Sequence, residues 1–183
     1  MTRILGISGS LRSGSYNTAL LNAAVSLVDS PVEIETATLH GVPLYDGDVE
    51  SRSGLPDAVV ELKSRALACD GLLLVTPEYN NGIPGVFKNA IDWMSRPGDK
   101  PASVFADRPV AVIGASPGGF GTLLAQNHWL PVLRTLGARP WFGGRLMVSR
   151  VKGAINEDGD LTDDEVRTRL RNFLHGYVRF ITE

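Results

Sequence analysis

The feature that most constrains this chain is an apolar run that gives way to a polar loop and then to a helix-like segment. The run Gly71–Val75 lacks alternation, as expected of a parallel β-strand covered on both faces by helices. Residues 76–82 follow as a polar stretch (loop B), and Pro84 is well placed to begin the next helix. Open α/β sheets bind ligands outside the carboxyl ends of their strands. We therefore predict that loop B lines a ligand site rather than serving only as a connection.

Composition and charge disfavour several classes of function. The 183 residues suit a single domain, 1–183, with a core of its own. A formal net charge of −2 gives no electrostatic reason to expect nucleic acid or an anionic membrane as a partner. No apolar run approaches the length of about 18 residues typical of a membrane span, and no charged-then-apolar leader precedes the first strand. We therefore expect a cytoplasmic protein.

Residue types that carry metal or nucleophilic chemistry are sparse. The single cysteine, Cys69, excludes an internal disulfide and is expected to be a packed thiol at the end of a helix. Asp46 and Asp48 have no further ligand nearby and are expected to be turn-forming carboxylates. The histidines show no metal-ligand spacing: His40, His128 and His175. We predict neither a metal site nor a catalytic side chain.

A second polar loop follows the first predicted strand. Residues 9–17 (loop A) precede a helix, and a strand, a small polar loop and a helix together form the arrangement that binds phosphate. Ser15-Tyr16 replaces the Lys-[Ser/Thr] of a Walker A motif and no G-x-G-x-x-G is present, which disfavours a nucleotide triphosphatase and a dinucleotide site. The polar groups of loop A suit a terminal monophosphate: Ser10, Arg12, Ser13, Ser15 and Asn17. The alternative is that Ser15 or Asn17 only caps the helix.

The middle of the chain continues a repeating strand and helix pattern. We predict an edge strand at 32–39 with solvated carboxylates, then a loop at 42–50. A helix at 56–68 and another at 84–94 should pack on the sheet. A polar linker rich in proline and glycine is predicted at 96–101.

The last part of the chain adds two more strands and a third loop. A buried strand at 108–115 leads into the small-residue loop 116–121 (loop C) and a further helix. Residues 140–148 suggest an interrupted last strand. Thr162 and Glu165 match a capping box at the start of the C-terminal helix.

Five such strand and helix units predict an α/β fold. We expect a doubly wound parallel sheet of order 2-1-3-4-5 with helices on both faces. Loops A, B and C then share one edge of the sheet, and their glycines permit close approach to a planar ligand. Tyr79 in loop B offers a flat apolar face with a polar tip. A phosphate at loop A and a flat polar ring at loop B describe flavin mononucleotide (FMN).

Three motifs carry a resemblance to a known family: Gly9-Ser10-Leu11-Arg12-x-x-Ser15-x-Asn17, Pro77-Glu78-Tyr79-Asn80-x-x-Ile83-Pro84-Gly85-Val86-x-Lys88-Asn89-Ala90-Ile91-Asp92-Trp93, and Ser116-Pro117-Gly118-Gly119. They are similar to the motifs of the NAD(P)H-dependent FMN reductases of flavodoxin-like fold, which include quinone and chromate reductases. The resemblance extends to about residue 148.

The resemblance implies a role for each matching residue. The groups implied at the FMN phosphate are Ser10, Arg12, Ser15 and Asn17, with Tyr16 adjoining. The groups implied at the isoalloxazine ring, largely through backbone, are Pro77, Glu78, Tyr79 and Asn80, with Ser116, Gly118 and Gly119 flanking it. Two environments stay open for the Glu78 carboxylate: an arginine of a neighbouring subunit, or solvent.

The resemblance also implies the chemistry and the assembly. Hydride would pass from NADPH or NADH to FMN and then to a small-molecule acceptor such as a quinone, in ping-pong order, so the flavin would carry the reaction. A homodimer or a dimer of dimers is implied, with the helix of Lys88 and Trp93 at the interface. That interface would cover apolar surface at Trp93. The alternative is that Trp93 lies partly buried at the rim of a monomer.

A flavodoxin-like electron carrier without nicotinamide turnover is the main alternative function. Such carriers tend to be strongly acidic, whereas this chain is nearly neutral. A low-molecular-weight phosphatase would need a cysteine in loop A, and a receiver domain would need an acidic pair at the end of the first strand. Both of these other classes fit poorly.

Overall fold

A parallel β-sheet organises the part of the chain that the computed structural model describes, residues 1–97 and 104–183. Its strands are β1 (Thr2–Ser8), β2 (Val32–Ala37), β3 (Gly71–Val75), β4 (Pro109–Ala115), β5 (Arg139–Pro140) and β6 (Leu146–Val148). The order is β2-β1-β3-β4-β5, and β6 also pairs with β4. The predicted order is confirmed, and two short strands share the position predicted for the interrupted fifth strand.

Helices cover both faces of this sheet. They are α1 (Tyr16–Leu27), α2 (Gly47–Ser53), α3 (Asp57–Leu67), α4 (Gly85–Met94), α5 (Leu123–Thr135) and α6 (Asp164–Thr182), with a 3-10 turn at Val151–Gly153. Side chains of α1 and α6 pack around Leu73 on one face, and those of α3, α4 and α5 pack around Leu72 and Leu74 on the other. Successive residues of a strand point to opposite faces. A central strand with helices on both of its faces must therefore be apolar throughout, and every residue of β3 is buried.

Tyr177 anchors the C-terminal helix to the middle of the sheet. Its side chain is fully buried, and its hydroxyl lies 2.7 Å from the carbonyl oxygen of Leu72 and 2.8 Å from that of Pro109. A phenol has one hydrogen to donate, so the two carbonyls share it. Burial raises the pKa of Tyr177 well above its usual range. The hydroxyl therefore stays protonated and ties α6 to β3 and β4.

The segment 42–50 is not entirely a loop as predicted, because α2 begins within it. The side chain of Asp46 caps this helix by accepting a hydrogen bond from the backbone N–H of Asp48 at 2.8 Å. Acidic residues in the first turn suit the positive end of the helix dipole. The helix has no buried residue, so no apolar periodicity marked it in the sequence.

The apolar surface predicted at Trp93 is covered within the chain. Trp93 is fully buried, and its indole N–H donates to the carbonyl oxygen of Pro43 at 2.9 Å. The ring of Tyr45 packs edge-on against it, with 4.8 Å between ring centroids. The prediction that a subunit interface covers Trp93 is therefore wrong, since the segment before α2 folds over it.

Local predictions elsewhere are corrected in smaller ways. Asp163, not Thr162, caps α6, because its carboxylate accepts from the backbone N–H of Val166 at 2.9 Å. Glu35 on β2 is not merely solvated, since it forms an ion pair with Arg65. The predicted linker at 96–101 lies mostly outside the described residues.

Cys69 is the packed thiol that the sequence predicts. Its side chain is buried, and burial raises its pKa. A protonated, buried thiol is a poor nucleophile.

Candidate functional site

The three predicted loops meet at the carboxyl edge of the sheet, where β1 and β3 lie side by side. There they enclose a small cleft of about 80 Å³ that opens to solvent. The lining residues are Ser10, Arg12, Ser15, Tyr16, Asn17, Pro77, Glu78, Tyr79, Ala115, Ser116 and Pro117. All predicted site residues line the cleft except Ser13, Asn80, Gly118 and Gly119.

Loop A presents hydrogen-bond donors and a cation at one end of the cleft. Ser15 is the N-cap of α1, and its side-chain oxygen accepts from the backbone N–H of Thr18 at 3.2 Å. The first N–H groups of the helix have no acceptor within the helix, and the helix dipole favours an anion beside them. The exposed guanidinium of Arg12 makes no hydrogen bond or ion pair with residues 1–97 or 104–183. This end of the cleft therefore fits a phosphate group.

Asn17 joins loop A to the end of β4. Its side-chain oxygen accepts from the backbone N–H of Ala115 at 2.9 Å, and its amide donates to the carbonyl oxygen of Ala115 at 2.9 Å. Both groups are buried. The Asn17 side chain is therefore held in place by the fold, which leaves one amide hydrogen and its backbone N–H for a ligand.

Loop B contains a tight turn that presents Tyr79 to the cleft. Tyr79 and Gly82 exchange backbone hydrogen bonds of 3.1 and 3.0 Å. Between them Asn80 has φ 49° and Asn81 has φ 63°, as in a type I′ turn. Gly82, which closes the turn, does not have a positive φ. Because Asn80 occupies the tip of this turn, it lies outside the lining of the cleft.

The Glu78 carboxylate has an environment that the sequence did not predict. One of its oxygens accepts hydrogen bonds from the backbone N–H groups of Leu124 at 2.8 Å and Ala125 at 3.0 Å. These groups belong to the first turn of α5, whose N-cap residue Thr122 makes no side-chain capping bond. Glu78 therefore caps α5 while remaining partly exposed to solvent. Its pairing with an arginine of a neighbouring subunit stays a prediction.

Loop C is held by its own contacts and by the segment after β6. The hydroxyl of Ser116 donates to the carbonyl oxygen of Gly121 at 2.5 Å, and its backbone N–H donates to Val148 at 2.9 Å. Ala115 and Pro117 also line the cleft and were not among the predicted residues. Their position at the end of a parallel strand is the signal that could have identified them.

A second, mostly apolar cavity lies between α5 and the connection from β5 to β6. It has about 590 Å³ of empty space. It lies beside β4, at the place where the short strands β5 and β6 pair with different parts of that strand. None of the residues of loops A, B and C lines it. The cleft at the loops, where donors and a cation converge, is therefore the candidate site.

Comparison with known proteins identifies the family. A model described as NADPH-dependent FMN reductase matches residues 2–153. The chain belongs to this family. It is accordingly an oxidoreductase that uses FMN and NAD(P)H, and its fold is flavodoxin-like.

Relatives match this FMN reductase family member over nearly its whole length. An NAD(P)H-dependent FMN reductase of Pseudomonas aeruginosa is 45% identical over 172 residues, which are 94% of this chain and 91% of the relative. A 2-hydroxy-1,4-benzoquinone reductase of a Burkholderia species is 34% identical and is matched over 99% of this chain and 97% of the relative. The solved structure of FerB, a flavoenzyme NAD(P)H:(acceptor) oxidoreductase from Paracoccus denitrificans, has a TM-score of 0.88 and 31% identity, covering 100% of this chain and 98% of FerB.

Neither a metal-binding cluster of side chains nor a helix that could span a membrane is present in the described part of this FMN reductase family member. In the part of the chain that the structure describes, no three His, Cys, Asp or Glu side chains are grouped to hold a metal ion. In the same residues, every helix is too short or too polar to span a bilayer.

Proposed function

We propose that this chain binds FMN in the cleft, with the phosphate at loop A and the isoalloxazine ring between loops B and C, and reduces quinones. The observation that carries the proposal is the arrangement of the cleft. The exposed guanidinium of Arg12 and the start of α1 lie at one end, and a half-exposed tyrosine, Tyr79, lies at the other. Ser10, Arg12, Ser15, Tyr16 and Asn17 form the proposed phosphate end.

The phosphate end offers several donors to one anion. The side-chain oxygens of Ser10 and Ser15 accept backbone hydrogen bonds from Arg12 and Thr18, so their hydroxyl hydrogens point elsewhere and are available to phosphate oxygens. Both serines are buried, which strengthens such bonds. Arg12 would offset the phosphate charge.

The ring end offers backbone and small side chains to a planar group. Pro77, Glu78 and Tyr79 face the cleft from loop B, and Ser116 faces it from loop C. Asn80, Gly118 and Gly119 do not line the cleft, and we place them beside the outer part of the ring. Bound FMN supplies hydride acceptance and donation, while the chain positions the ring and its backbone N–H groups offset negative charge on it.

A flat acceptor suits the open side of this cleft. Tyr79 in loop B is 45% exposed and Phe120 in loop C is 80% exposed, so aromatic faces are available for stacking. The names of two relatives, a 2-hydroxy-1,4-benzoquinone reductase and an Escherichia coli quinone reductase that is 32% identical, support a quinone. We take NADPH or NADH as the donor.

We further propose a cytoplasmic homodimer or dimer of dimers that uses α4. The helix carries an ion pair between Lys88 and Asp92 at 2.8 Å. Val86 in α4 and Ile83 just before it are only partly buried against the core. Trp93, being covered within the chain, makes no part of this proposed contact.

The two half-reactions test the proposed activity. We expect excess NADPH or NADH to bleach the FMN-loaded protein anaerobically, and an added quinone to restore its colour. Free FMN at the same concentration is the control and should bleach far more slowly, because it lacks an aligned donor site. Flavin that binds but is not reduced by either nucleotide would assign the chain to the electron carriers instead.

A further inference from the structure

Loops B and C flank the cleft but are far apart in the sequence, and Glu78 connects them. Its backbone belongs to loop B, and its side chain reaches the start of α5, directly after loop C. A single carboxylate oxygen accepts both N–H groups of that first helical turn, those of Leu124 and Ala125. The link therefore connects the two loops that flank the cleft.

The link consists of two hydrogen bonds of ordinary length, 2.8 and 3.0 Å, at the start of a helix. An ionised acceptor makes shorter and stronger hydrogen bonds than a neutral one, and the positive end of a helix dipole adds to the attraction. Thr122, which precedes α5, gives no side-chain capping bond. The first turn of α5 therefore depends on Glu78 for its cap.

We infer that Glu78 is a positioning residue of the flavin site, which fixes the spacing of loops B and C between which the ring lies. This inference rests on the proposed function. Without the link, loop B is free to move away from α5, and FMN must restore the spacing when it binds. The cost of that ordering appears as weaker binding.

Two substitutions at Glu78 separate geometry from charge. Glu78→Gln keeps a carbonyl oxygen that can accept the same two N–H groups, whereas Glu78→Ala removes the acceptor. We expect Glu78→Ala to weaken FMN binding to the apoprotein about tenfold or more, and Glu78→Gln to weaken it by less than about threefold. Quenching of flavin fluorescence measures both dissociation constants.

Asp163→Ala provides the matched control. Asp163 also caps a helix with its carboxylate, at the start of α6, and it does not line the cleft. Losing either cap should cost similar stability. We expect Asp163→Ala to change the FMN dissociation constant by less than about twofold. Equal weakening by Asp163→Ala and Glu78→Ala would overturn the inference, as would wild-type affinity in Glu78→Ala or equal loss in Glu78→Gln.

Hydrogen exchange in the apoprotein tests the link without flavin. We expect the amides of Leu124 and Ala125 to exchange about tenfold faster in Glu78→Ala and nearly unchanged in Glu78→Gln. Unchanged exchange in Glu78→Ala would show that the link is absent and would overturn the inference. Failure of the wild-type protein to bind FMN would instead refute the proposed function, and with it the role of the link in a flavin site.

Discussion

Replacing Gly114 by alanine is expected to lower the free energy of unfolding by about 3 kcal/mol, the upper part of the usual cost of overpacking a buried site. A Cβ atom at Gly114 would lie 2.2 Å from the carbonyl oxygen of Thr76 and 2.2 Å from the hydroxyl oxygen of Thr122. Both threonines are fully buried. Since a backbone oxygen cannot rotate away, β4 must separate from the chain at Thr76. Urea unfolding followed by circular dichroism measures the loss.

Gly153→Ala is the control for this substitution. Beyond its chain neighbours and its own helical turn, no atom of residues 1–97 and 104–183 lies within 4 Å of a Cβ atom at Gly153, so we expect a change within about 0.5 kcal/mol. A Gly114→Ala protein as stable as the wild type would contradict the close contact between β4 and the beginnings of loop B and α5.

Asn17→Ala is expected to lower the free energy of unfolding of the apoprotein by about 2 to 3 kcal/mol. The substitution leaves the buried N–H and carbonyl groups of Ala115 without their partners, and each unsatisfied group is costly. FMN affinity should fall as well, because loop A loses its link to β4. Urea unfolding without flavin measures the structural part of this effect.

Asn22→Ala is the matched control on the same helix. Asn22 is exposed, so removing its amide should change stability by less than about 0.5 kcal/mol. If Asn17→Ala were no less stable than Asn22→Ala, the paired hydrogen bonds to Ala115 would not hold loop A.

The sheet was predictable because its central strands carry a local signal. An apolar run without alternation must be covered on both faces, and β3 occupies Gly71–Val75 as predicted. The rule that parallel strands end at one edge then brought the three loops together. It also explains why most of the predicted residues line one cleft.

The contacts that the sequence did not predict join distant parts of the chain. The cap that Glu78 gives to α5 and the cover that Pro43 gives to Trp93 each join residues more than 40 positions apart. Neither leaves a periodic pattern in the sequence. Asn80 lies outside the cleft because of the turn geometry at loop B, which residue type alone does not determine.

The comparison of FMN with riboflavin tests most directly the claim that loop A holds a phosphate. The two ligands share the ring and differ in the phosphate. We predict that the apoprotein binds FMN at least about 100-fold more tightly than riboflavin, because Arg12 and the first turn of α1 meet the phosphate charge. Arg12→Ala should reduce this preference about tenfold, whereas Arg52→Ala, at an exposed position of α2, should leave it unchanged. Equal affinities for FMN and riboflavin in the wild-type protein would contradict the phosphate site.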